Sequence, residues 1–134
     1  FVFIGDNGSS EKDQEAAERI IAEFPEALRA VFLHAVSDSE QPAPLPADTE
    51  FKGVPIRFFR TYAAAAAKAH DLGMIRQAAL RRILHAIEED MAHDETNLAP
   101  GSTNEQLLRE EACSALSSLQ KPRGLRALLK ARTM

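Results

Sequence analysis

The first 36 residues constrain the fold of this chain most strongly. FVFIG (residues 1–5) is an apolar run stopped by a glycine, and LRAVFLHAV (28–36) is a second apolar run of strand length. Between them Ala16, Ala17, Ile20, Ile21 and Phe24 recur at helical spacing until Pro25 ends the pattern. Short apolar runs without polar alternation suit strands buried on both faces of a parallel sheet. Strand, helix and strand in so short a span predict a βαβ unit with a right-handed crossover. Ser9 and Ser10 can cap the helix, and Glu11 falls in its first turn, where negative charge complements the helix dipole.

Beyond this unit, residues 37–53 hold three prolines and many turn formers, which predicts a surface loop. VPIRFFR (54–60) predicts a third strand. Thr61 can cap a helix over TYAAAAAKAHDLG (61–73), which ends in a glycine. Its five consecutive alanines leave a face with little bulk, suited to close packing on a sheet or another helix. A second amphipathic helix is expected over 74–91, with Ile75, Ala79, Leu80, Ile83, Leu84 and Ile87 inward. DETNLAPGSTN (94–104) reads as a linker, and 105–119 and 125–131 as further helices. The expected architecture is an α/β sheet of about three parallel strands over 1–93, that linker, and a helical tail over 105–134 with a basic C-terminus.

Composition narrows the function classes. The chain has 134 residues, 27% of them charged, and a net charge of −4, which argues against general nucleic-acid binding. No run approaches the roughly 18 apolar residues that a membrane span needs. Cys113 is the single cysteine, so no internal disulfide forms, and a lone thiol suits the cytoplasm. Its setting, EEACSALSSL, predicts a buried helical position. The chain opens in a strand pattern on Phe1 rather than on methionine, so a fragment of a longer product is expected.

The chemistry is concentrated at the end of the first strand. Ligands of parallel α/β sheets bind outside the carboxyl ends of the strands, and Asp6 follows Gly5 there. Glu11 and Asp13 lie within one loop and one helical turn. Carboxylates gathered with only Lys12 nearby repel one another unless a hard cation is present. Mg²⁺ takes one or two carboxylates, keeps several waters and leaves room for a phosphate. The same residues would also serve as a simple turn and a solvated helix start.

GDNGSSEKDQEAAERIIAEFPEALRAVFLHAV resembles a segment of the actin-patch-associated phosphatidate phosphatases, which begins GDSGxxDxE and belongs to the haloacid-dehalogenase superfamily. The resemblance continues through GVPIRFFRTYAAAAAKAHDLGMI (53–75) and covers roughly residues 1–85; the rest resembles nothing we can name. It implies a haloacid-dehalogenase-like parallel sheet, Mg²⁺, and hydrolysis of phosphate monoesters, phosphatidate being the family's substrate. Asp6 would be the first metal ligand. Asp13 would be the second, with Glu11 as the alternative: matching letters favours Asp13 after a two-residue insertion, whereas counting from Asp6 gives Glu11. Enzymes of that superfamily use an aspartate nucleophile in a DxDxT motif, and no DxDxT occurs in these 134 residues. Asp48-Thr49 and Asp94-Glu95-Thr96 come closest. The expectation is therefore a catalytic half, inactive alone, whose N-terminal partner half supplies the nucleophile.

Further candidates follow from position. Arg60 ends the third strand and could grip a substrate phosphate; it also suits a surface ion pair. His34, His70, His85 and His93 invite a metal reading, but no HExxH occurs, and partly exposed histidines on solvated helices need no ligand. The tail carries Lys121, Arg123, Arg126, Lys130 and Arg132 beside Leu125, Leu128 and Leu129. Such a segment can touch an anionic membrane surface or simply pack its leucines on the domain. An unpaired strand edge would favour homo-oligomers. The reading from a different class is a non-catalytic binding or scaffolding domain that uses the acidic helix and the basic tail.

Overall fold

The apolar runs become strands, and their neighbours decide how deeply each is buried. The structure is a computed structural model that describes residues 1–6, 12–36, 44–93 and 95–120. In chain order the elements are β1 (Val2–Gly5), α1 (Lys12–Glu23), β2 (Ala30–His34), β3 (Thr49–Phe51), β4 (Val54–Phe59), α2 (Tyr62–Asp71), α3 (Gln77–Ala92) and α4 (Thr103–Gln120). The sheet runs β1-β2-β4-β3. β1 pairs parallel to β2 with Gly5 opposite Leu33, and β2 pairs parallel to β4 with Leu33 opposite Phe58. β3 is antiparallel to β4.

Alternation divides the sheet's side chains between two layers. Val31, Leu33, Ile56 and Phe58 join Ala17 and Ile21 of α1 in one core. Ala30, Phe32 and Phe59 point the other way, beneath Ala64, Ala65, Ala69, Leu72 and Met74. The alanine run now has its explanation. α2 lies between the sheet and two further helices, so Ala63 and Ala66 face Leu80, Leu84, Ala112 and Leu116 on its far side. Larger side chains on either face would push these layers apart. Thr61 accepts the Ala64 N–H at 3.2 Å as the N-cap. At the other end Met74 N–H reaches Ala69 O and Gly73 N–H reaches His70 O, both at 2.9 Å. This Schellman closure needs the positive φ of 73° at Gly73.

Several expectations are corrected. The sheet has four strands rather than three, because Thr49–Phe51 within the expected loop forms β3. A two-residue turn with φ of 48° at Lys52 and 82° at Gly53 folds β3 onto β4. β1 is not a buried strand: it lies on the sheet edge, with Val2 40% and Ile4 70% exposed. Among the described residues, Phe3 is the β1 side chain that packs on the core, since α2 covers β2 and β4. α3 begins at Gln77, and Ile83 is exposed rather than inward. α4 begins at Thr103, inside the expected linker, and packs on α2 and α3 through Ala112 and Leu116. Cys113 is exposed on α4, not buried. The basic segment 125–131 lies outside the described residues.

Candidate active site at the carboxyl edge of the sheet

Parallel strands β1 and β2 and strand β4 all end on one edge, and the polar residues that follow them gather there. Asp6 comes directly after β1. Asp13, in the first turn of α1, lies over the backbone at Gly5. A Cβ added at Gly5 would sit 2.9 Å from Asp13 Cγ and 3.0 Å from its Cβ. Glycine at position 5 is thus what admits the Asp13 carboxylate beside Asp6. The two acids line a hollow of about 430 Å³ together with His34 and Tyr62.

The far wall of this hollow is held in place by ring packing. The His34 ring stacks on Phe59 at 4.8 Å with planes 4° apart, and Tyr62 lies 5.3 Å from His34. His34 Nε2 is 2.8 Å from the Arg60 carbonyl oxygen. A carbonyl only accepts, so Nε2 carries the proton and donates. In the neutral ring Nδ1 then keeps its lone pair.

Arg60 does not line the acid hollow. It lines a neighbouring, mainly apolar hollow of about 300 Å³ that shares His34 and Tyr62 with the first. The next residue, Thr61, is buried, and its hydroxyl donates to Glu111 Oε2 of α4 at 3.0 Å. Burial pushes the Glu111 carboxyl above its ordinary value; the Thr61 hydrogen bond and the charges of Lys68 and Arg60 oppose this, while Glu110 adds to it.

The structure therefore brings Asp6 and Asp13 together and sets Arg60 one hollow away. Glu11 lies outside the described residues. Among the described residues, no group of three or more His, Cys, Asp and Glu is placed to hold a metal ion. His70 and His85 instead face acids of their own helices, Asp71 at 3.8 Å and Glu88 at 3.5 Å. The carboxylates that line the hollow, among the described residues, are Asp6 and Asp13, and Mg²⁺ is a cation that takes one or two carboxylates and completes its shell with water. Sequence reasoning missed Tyr62 and Glu111, and weighed His34 as a metal ligand against a partly exposed histidine that needs no ligand. The rule that singled out Asp6 would have found His34, since it too ends a parallel strand. Among the described residues, no helix is long and apolar enough to cross a membrane. Comparisons with family models, with curated proteins and with solved structures each found no match.

Proposed function

We propose that this chain is the metal-holding C-terminal portion of a Mg²⁺-dependent phosphatase of the haloacid-dehalogenase type, acting on phosphate monoesters. The observation that supports this most is the seat of the Asp13 carboxylate over Gly5, beside Asp6, at the carboxyl edge of a parallel sheet. Asp6 and Asp13 would hold the ion, with Glu11 the alternative second ligand. When bound, Mg²⁺ neutralises negative charge on a phosphoryl group. His34, fixed by its stack and its hydrogen bond, positions one wall of the hollow. Arg60 places a positive charge one hollow away, where it attracts a dianionic ester. The nucleophile belongs to a partner half, because the chain has no DxDxT. Phosphatidate is the substrate that the family resemblance suggests, and a lipid substrate agrees with a cytoplasmic protein in peripheral contact with a membrane.

The test measures Mg²⁺ binding by calorimetry and Mg²⁺-dependent hydrolysis of an aryl phosphate, on this chain and on one extended through its upstream coding region. The chain alone binds Mg²⁺ without turnover, and the extended chain hydrolyses the ester. Asp6→Asn and Asp13→Asn each weaken Mg²⁺ binding by about tenfold or more. Gly5→Ala does the same by displacing Asp13. Silence of the extended chain, with Mg²⁺ binding unaffected by Asp6→Asn, would leave the acids as a turn and favour a binding domain.

A further inference from the structure

The geometry points to a compact apolar subsite beside the acid hollow, which selects phosphate monoesters whose alcohol portion is one ring or a short chain. This inference rests on the metal-site reading above. The two hollows share His34 and Tyr62, so a ligand held at Asp6 and Asp13 extends past those two rings into the second hollow. Tyr62 is 65% exposed and lines both hollows. Beyond it, Leu98, Leu107 and Leu108 form an apolar wall, with Val36 two residues past β2. Arg60 lines the same hollow, and its charge complements an ester that carries its phosphate at the entrance.

Size sets the substrate class. A cavity of roughly 150 Å³ takes a benzene ring, so the hollow of about 300 Å³ accepts one ring or a chain of similar bulk. Two long acyl chains exceed that volume, so among phosphate monoesters the hollow favours compact ones over the phosphatidate that the family resemblance suggests. The boundary is also preformed. His34 is pinned between Phe59 and the Arg60 carbonyl, and the leucine wall belongs to α4 and the segment before it. α4 is held in turn by Glu111 on Thr61 and by Ala112 and Leu116 in the helical core. Residues beyond the phosphatase-like segment would thus set which ester is accepted.

The experiment titrates the ¹⁵N-labelled chain, with Mg²⁺, against phenylphosphonate and methylphosphonate, which resist hydrolysis, and against dioctanoyl phosphatidate. Phenylphosphonate is expected to shift the Leu98, Leu107 and Leu108 amides and to bind about tenfold more tightly than methylphosphonate, the gain from burying one ring. Leu107→Trp fills the hollow and abolishes that difference while methylphosphonate still binds. Leu98→Ala, which removes wall without filling space, reduces it. Equal affinity of the two phosphonates, with Mg²⁺ still bound at Asp6, overturns the subsite and leaves the metal site standing. Absence of Mg²⁺ and phosphonate binding alike overturns the metal site and the subsite with it. Tighter binding of dioctanoyl phosphatidate than of phenylphosphonate, through the same amides, overturns selection for a compact group.

Discussion

Strands β1 and β2 are both short apolar runs, adjacent and parallel, yet they live in different environments. β2 keeps Ala30, Val31 and Leu33 fully shielded, whereas Ile4 of β1 is 70% exposed. The difference lies in what covers them. α1 closes one face of β2 and α2 the other, and β4 pairs its second edge. Among the described residues, β1 has one edge paired and only Phe3 on a core. Apolar composition marks a segment as able to be buried; which segment is buried depends on how far the covering helices reach.

The sharpest break of that comparison is a pair of truncations. Leu33→Ala empties a sealed position and should cost about 3 kcal/mol, whereas Ile4→Ala should cost less than about 0.5 kcal/mol. Urea unfolding of both variants reads the contrast, and equal costs would show that β1 is covered after all.

A smaller effect tests the second layer of cover. Thr61 caps α2 and also anchors α4 through Glu111. Thr61→Ala should lower stability by about 1–2 kcal/mol, with greater hydrogen exchange in α4 than in β1. Uniform change across both elements would deny that α4 docking depends on this residue.

The smallest effect is one of pH. The Glu111 carboxyl is raised above 4.5 in the folded chain, so the native state holds its proton more tightly than the unfolded one. Stability from this group is fully present below that ordinary value and is lost as pH rises through the raised one. Glu111→Gln keeps an acceptor for Thr61 without the charge. It should therefore raise the melting temperature slightly at pH 7 and leave it unchanged at pH 4. A variant less stable at pH 7 would mean that the attraction of Lys68 and Arg60 outweighs burial.

Local periodicity was enough to place α1, β2, β4 and α2, each to within a few residues. Thr61 and Gly73 were identifiable as cap residues because their chemistry is local. β3 was not legible. Thr49, Glu50 and Phe51 carry no strand pattern of their own, and only pairing with Pro55 and its neighbours makes them one. Ile83 and Cys113 were misplaced for the converse reason, since helical spacing gives a face but not the width of its cover. At the candidate site, Asp6 was singled out by its position after the first apolar run and Asp13 by the family resemblance, and both line one hollow. The approach of Thr61 to Glu111 spans 50 residues and depends on α4 docking, so no local signal carried it. Arg60 follows its strand as expected, but it lines a different hollow from the acids because α4 builds a second hollow beside α2.

The outer side of β4 has a further consequence. Past the short β3, Asp48 Oδ1 accepts the Phe58 N–H at 2.9 Å and Lys68 Nζ donates to the Phe58 carbonyl at 2.6 Å, while the two side chains pair at 3.0 Å. These side chains occupy the two backbone groups that another strand would bond at that position. The ladder is finished there by an ion pair instead of a peptide. At Phe58, then, the outer margin of β4 is stoppered by side chains, whereas among the described residues β1 bonds a single neighbouring strand, β2, along the margin that ends at Asp6.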